Sequence, residues 1–180
     1  APTIGVGQSA GQNALVWDGK DVDGNLVADD TYTFEIKITD KSGNKSSVTA
    51  SGVKDEIPPV VLLTQSPIPN PFSPGVTPGQ DDVTQIRYTT VGATSSRVEI
   101  YSKVTGALVG TIKTATGDVT DTPVVWTGTG QGDGLYRVLV TAVDGHGLKT
   151  EASSEVEIDN TPFVLTGVSI TPGTISPENG

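Results

Sequence analysis

Strict alternation is the clearest pattern along the chain. In residues 31–39, TYTFEIKIT, the apolar side chains Tyr32, Phe34, Ile36 and Ile38 fall on one face, and Thr33, Glu35, Lys37 and Thr39 on the other. A period of two residues marks a β-strand with one face to be covered and one in water. Residues 134–143, GLYRVLVTAV, repeat the pattern with Tyr136, Val138, Val140 and Ala142. Shorter runs rich in Val, Ile and Thr predict further strands at 60–64, 84–91, 96–102, 107–114, 123–127 and 149–158, separated by Gly, Pro, Asn and Asp. No stretch sustains a helical period, so the expected class is all-β.

The two tyrosine strands belong to a longer internal correspondence. Tyr32 and Tyr136, Asp40 and Asp144, Gly43 and Gly147, Asp55 and Asp159, and Pro58 and Pro162 all lie 104 positions apart. Trp17 and Trp126 lie 109 apart, and Ser73-Pro74 is echoed 103 positions later by Ser176-Pro177. A constant offset over several landmarks is the mark of a repeat. It divides the chain into the C-terminal half of one repeat (1–57), a complete repeat (58–160) and the opening strand of a third repeat or a linker (161–180). The chain is thus expected to be a slice of a longer array. Seven short strands per complete repeat predict tandem immunoglobulin-like or fibronectin-III-like β-sandwiches, joined by the proline-bearing segments DEIPPV and DNTPF.

Composition narrows the function classes. A net charge of −10 and a pI near 4.3 oppose binding to the phosphates of nucleic acid or to an anionic membrane surface. Apolar runs are too short for a transmembrane helix, so no membrane insertion is expected. With no cysteine, disulfides, thiolate nucleophiles and Cys-based zinc sites are excluded. A thiol-free, acidic β-chain suits an extracellular or cell-surface setting.

Three segments carry a family resemblance: NPFSPG (70–75), TQIRYTTVGATSSRVEIYSKVTGALVGTI (84–112) and VVWTGTGQGDGLYRVLVTAVD (124–144). Together they resemble the FlgD-type Ig-like domain of bacterial surface and secreted proteins, whose Trp-Asp-Gly element appears most fully as WDGKDVDGN (17–25). The resemblance implies a structural or adhesive role. Members often carry an Asn-Gly-Asp-Gly loop after the Asn-Pro-Phe turn. Here that segment reads GVTPGQDDV (75–83), and only Asp81 and Asp82 remain as carboxylates.

The acidic loop after Trp17 is the leading candidate for chemistry. Asp18, Asp21, Asp23 and Asn25 offer the oxygen ligands that calcium requires, and calcium is the one cofactor the loop suits. The EF-hand spacing fails, because Leu26 stands where the glycine after Asp21 is required. The competing reading is a turn, in which the glycines supply the conformation and aspartates close Asx-turns. In the second copy WDG becomes Trp126-Thr127-Gly128, which keeps the glycine and discards the charge. His146 is the lone histidine and is expected to be an exposed turn residue. Both tryptophans, preceded by apolar pairs, are expected in cores rather than on a sugar-stacking surface. No enzymatic activity is expected.

The first copy raises an assembly question. The faces of Tyr32, Phe34, Ile36 and Ile38 need a cover, and Phe163, Leu165, Val168 and Ile170 in the tail form a strand-like apolar segment without its own domain. Three covers are open: upstream sequence of the same repeat, the second domain, or another copy of the chain, so the expected partners are neighbouring Ig-like domains or other copies of the chain, through edge or terminal strands. The leading functional expectation is a non-catalytic structural or adhesive unit. The alternative is a spacer or weak carbohydrate-binding accessory module of a secreted hydrolase.

Overall fold

A computed structural model of the chain describes residues 14–75 and 81–167. Its nine strands are β1 (Asp30–Thr39), β2 (Lys45–Lys54), β3 (Val60–Ile68), β4 (Thr84–Val91), β5 (Ser95–Ser102), β6 (Leu108–Thr116), β7 (Thr122–Trp126), β8 (Gly134–Val143) and β9 (Lys149–Ile158). Among the described residues there is no helix, and the class is all-β, as the alternation predicts.

Strands β3 to β9 form a β-sandwich. A three-stranded sheet of order β3-β4-β7 faces a four-stranded sheet of order β6-β5-β8-β9. The core between them takes Ile86 and Tyr88 from β4, Val124 and Trp126 from β7, Val98 and Ile100 from β5, Tyr136, Val138 and Val140 from β8, and Val156 and Ile158 from β9. Each strand sends alternate side chains inward, as the pleat requires. Burying one such side chain is worth roughly 1.5–3 kcal/mol, so this shared core holds the sandwich together.

The Asn-Pro-Phe turn locks the sandwich at one edge. Phe72 is buried against Trp126, with ring centroids 5.2 Å apart. Its N–H donates to Glu157 C=O, and its C=O accepts from Asp159 N–H. The Asn70 side chain accepts from Glu157 N–H (2.8 Å) and donates to Glu155 C=O (3.2 Å). Gly128 makes room for this plug: a Cβ there would lie 2.8 Å from Phe72 Cζ, and its φ of +60° disfavours any side chain.

β4, β8 and β9 begin and end where alternation places them; β5 starts one residue earlier, β7 is shifted by one residue at both ends, and β6 starts one residue later and ends two later. β3 extends beyond the expected Thr64 to Ile68, through two irregularities in its pairing with β4 and across Pro67. An edge strand tolerates a proline that would break an internal one, so the sequence reads as a premature stop.

β1 and β2 form a separate two-stranded sheet. Its ladder matches that of β8 and β9 pair for pair, 104 positions earlier: Tyr32 opposes Gly52 as Tyr136 opposes Val156, and Thr39 opposes Lys45 as Val143 opposes Lys149. Tyr32 Oη donates to Ala28 C=O and Tyr136 Oη to Gly132 C=O, both at 2.8 Å. Trp17 packs on Tyr32 (4.8 Å) and Trp126 on Tyr136 (5.1 Å). Trp126 is a core residue as expected, whereas Trp17 is half-buried.

In the tail, residues 161–167 form no strand, and Phe163 and Leu165 are exposed. Of the two expectations for 161–180, an opening strand or a linker, the described part shows no strand, and no strand among the described residues pairs with it. Val168 and Ile170 lie outside the described residues.

Candidate functional site

The acidic loop resolves into a turn that the molecule builds three times. Asp21 Oδ1 accepts the N–H groups of Asp23 and Asn25, both at 2.9 Å. Asp40 Oδ1 does the same for Ser42 (2.8 Å) and Asn44 (2.9 Å), and Asp144 Oδ1 for His146 (2.8 Å) and Leu148 (2.9 Å). In each turn the aspartate N–H also donates to the C=O four residues on. The glycine three residues on, Gly24, Gly43 or Gly147, has φ between +84° and +88°. The shared pattern is Asp-x-x-Gly: the carboxylate satisfies two amides that the tight turn leaves without backbone partners.

The electrostatics follow from these bonds. The Asn25 amide holds the Asp21 carboxyl below the usual carboxylate range, and the Asn44 side chain does the same for Asp40. Asp18 accepts from Lys20 N–H at 3.2 Å, and its carboxylate lies 3.8 Å from the Lys20 ammonium. Asp23 is exposed. Among the described residues no group of three or more His, Cys, Asp or Glu side chains is arranged to hold a metal ion. Asp29, a neighbour of the candidate set, turns the other way and bonds Lys54.

That second cluster ties the end of the hairpin to the chain leaving it. Asp29 accepts from Lys54 Nζ at 2.7 Å and from Glu56 N–H at 3.0 Å. Lys54 Nζ also meets Glu56 at 3.0 Å, and its side chain is only 9% exposed. The Lys54 ammonium, the nearest donor, lowers the Asp29 pKa, and Asp29 in turn raises that of Lys54. In the sandwich the matching residue Asp133 accepts from Asn160 N–H (2.9 Å) and Thr161 Oγ1 (2.8 Å), and the Asn160 amide lowers its pKa. Ile158 occupies the position that corresponds to Lys54.

Beyond Lys54 the connecting segment meets the sandwich through a histidine. His146 Nδ1 lies 2.7 Å from Asp55 Oδ2. The lone histidine is therefore a tie between the β8–β9 turn and the segment that joins hairpin to sandwich. Its place in the turn was legible in DGHG, but nothing in the sequence associates position 146 with position 55.

The remaining feature is an uncovered surface. Phe34, Ile36 and Ile38 are 37, 54 and 61% exposed, and Val48, opposite Ile36, is also exposed. Tyr32 is set apart from them: it is half-buried under Trp17. The structure thus brings three of the expected assembly residues together on one open face, continuous with a β1 edge that has no ladder partner among the described residues. The tail residues Phe163 and Leu165 are exposed elsewhere in the chain and form no ladder with that edge.

No protein-family model matches the sequence, and no curated protein does. Among solved structures, dimeric latent PorU from Porphyromonas gingivalis is similar over 74% of this chain and 12% of its own, with 19% identity and a TM-score of 0.42. The chain thus spans about an eighth of that protein's length. So partial a likeness leaves function to be read from the chain's own geometry.

Proposed function

We propose that the chain is a non-catalytic structural or adhesive segment of an extracellular bacterial surface protein or filament. On this reading it is built from tandem Ig-like repeats of the FlgD type and assembles through strand edges. The observation that carries the reading is the β1–β2 hairpin. It keeps the register, the tyrosine hydrogen bond, the tryptophan contact and the Asp-x-x-Gly turn of β8–β9, yet among the described residues it has neither the flanking strand nor the facing sheet that cover β8–β9. A strand order of β3-β4-β7 against β6-β5-β8-β9, with Tyr136 bonded four residues back, favours the immunoglobulin and fibronectin-III class of sandwich.

The mechanism is mechanical. The Asp29–Lys54–Glu56 cluster, the Asp55–His146 pair and the prolines at 58 and 59 restrain the joint between consecutive units. The open hairpin supplies the adhesive surface. Sedimentation equilibrium from micromolar to millimolar concentration tests the assembly: the expected result is reversible association that shields β1–β2 from protease. A chain that stays monomeric throughout, with the hairpin cleaved at the same rate at every concentration, would refute it.

A further inference from the structure

The sandwich and the hairpin are closed in different ways at matching places. In the sandwich, the tip of the Phe72 ring and the end of Ile158 both lie over Gly128. A Cβ built on that glycine would meet Phe72 Cζ at 2.8 Å and Ile158 Cδ1 at 3.0 Å. Phe72 and Ile158 are both buried, and Trp126 meets the Phe72 ring edge-on. Together they form a socket filled by the Asn-Pro-Phe turn.

The hairpin repeats the frame of that socket. Gly19 follows Trp17 by two residues as Gly128 follows Trp126, and their φ values are +77° and +60°. Lys54 stands opposite Asp30 as Ile158 stands opposite Gly134. The backbone matches too. Asp40 N–H donates to Asn44 C=O as Asp144 N–H does to Leu148 C=O, so the alternation of an antiparallel ladder points the same groups of β2 and β9 outward. In β9 those groups, on Glu155 and Glu157, hold Asn70 and Phe72, and Asp159 N–H donates to Phe72 C=O. Ser51, Val53 and Asp55 stand at the matching places beside Gly19.

What differs is the filling. Lys54 Cε and Cδ lie 3.3 and 3.6 Å from a Cβ built on Gly19, so one aliphatic arm takes the place of the Ile158 side chain and the Phe72 ring tip. The ammonium at its end is held by Asp29 at 2.7 Å and by Glu56 at 3.0 Å. The matching anchors in the sandwich turn elsewhere. Asp133 accepts from Asn160 N–H and Thr161 Oγ1, and the Asn160 side chain accepts from Ser73 Oγ, next to Phe72, at 3.4 Å.

We propose that Lys54 is a selectivity residue: it closes the hairpin socket to Asn-Pro-Phe segments, so that the turn at 70–75 is accepted beside β9 and refused beside β2. A phenylalanine ring entering over Gly19 must swing the Lys54 arm out and strip its ammonium of two carboxylates, and it offers only neutral groups in return. Parting a partly buried ion pair in this way is opposed, whereas Ile158 gives the ring an apolar wall. Selection of this kind rests on what the wrong site refuses as much as on what the right one offers. It holds whether or not copies of the chain associate, and so stands apart from the assembly reading.

The test is a titration of the isotope-labelled chain with the peptide of residues 67–75, PIPNPFSPG, followed by NMR. The wild-type chain is expected to show no shift in the Trp17 indole or in the amides of 51–55. Lys54→Ile restores the residue of the sandwich, and Lys54→Ala only removes the arm. Both variants are expected to show shifts at those sites that saturate with peptide and vanish when the peptide carries the Phe72→Ala change. Amide dispersion in β1 and β2 checks that the hairpin of each variant is folded. Equal shifts in the wild type and the variants would reveal an open socket and overturn the proposal, and so would folded variants that ignore the peptide. Loss of the hairpin fold in both variants would assign Lys54 to stability alone and overturn it as well.

Discussion

The hairpins β1–β2 and β8–β9 share strand bounds, register, turn and tyrosine hydrogen bond, yet differ sharply in environment. Val138 and Val140 are 0% exposed, whereas their counterparts Phe34 and Ile36 are 37 and 54% exposed. What β8–β9 has in addition is a strand at its side, β5, and a second sheet across its face. Local instructions thus suffice for a hairpin's geometry, and burial comes from elsewhere. An isolated two-stranded sheet is marginal in water. Trp17 over Tyr32 and Phe34, and the buried arm of Lys54, give this one a small cluster of its own.

Substituting matched residues tests how independent the two regions are. The tryptophans should differ most. Trp126 lies between Phe72 and Tyr136 in the shared core, so Trp126→Ala should destabilise the sandwich by about 3–5 kcal/mol in chemical denaturation. Trp17→Ala should leave the sandwich transition in place and loosen only the hairpin, seen as faster amide exchange in β1 and β2. Comparable losses in the sandwich from both changes would mean that hairpin and sandwich unfold as one unit.

The tyrosines come next. Tyr136→Phe removes the bond to Gly132 C=O and should cost the sandwich about 1 kcal/mol in the same measurement. Tyr32→Phe removes an equally short bond to Ala28, and its effect should appear only in exchange from β1 and β2. Equal shifts of the main transition would again erase the distinction.

Much of this comparison was legible in the sequence because it rests on local patterns. Alternation located β1, β4, β8 and β9, and the landmarks 104 positions apart fall at matching places in the two ladders, although β2 itself was not expected. The face of Phe34, Ile36 and Ile38 was likewise visible as an apolar stripe in the alternation. The Asp55–His146 tie was not, because it joins residues 91 positions apart through a turn and a connector that carry no shared pattern. The role of Asp21 was half legible: glycine and asparagine announced a turn closed by aspartate, but only the three turns with the same bonds show which carboxylate closes it.

The charged cluster separates the hairpins by pH. Asp29 and Asp133 both have lowered folded pKa values, so each stabilises above the unfolded value near 3.8 and loses its contribution as pH falls through the folded one. Lys54 has a raised pKa, so its contribution is complete below 10.5 and is lost as pH rises through the folded value. Ile158 stands at that place in the sandwich and has no proton to lose. Trp17 fluorescence, read in a Trp126→Phe background, should therefore change on the acid side and again above pH 10.5. Lys54→Met should remove the alkaline change. An alkaline limb that persists without Lys54 would assign it to another group.

The smallest expected effect is that of calcium on the melting temperature. Asp21, Asp40 and Asp144 make the same pair of amide bonds, though the residue two positions on is Asp23 in the first turn, Ser42 in the second and His146 in the third. The geometry thus holds with or without a second carboxylate, so the turn does not require one. Calcium at millimolar concentration should leave both the melting temperature and amide exchange in residues 18–27 unchanged. A rise in melting temperature that Asp23→Ser abolishes would show instead that the first turn, alone of the three, has become an ion site. Hairpin β1–β2 would then differ from β8–β9 in chemistry as well as in cover.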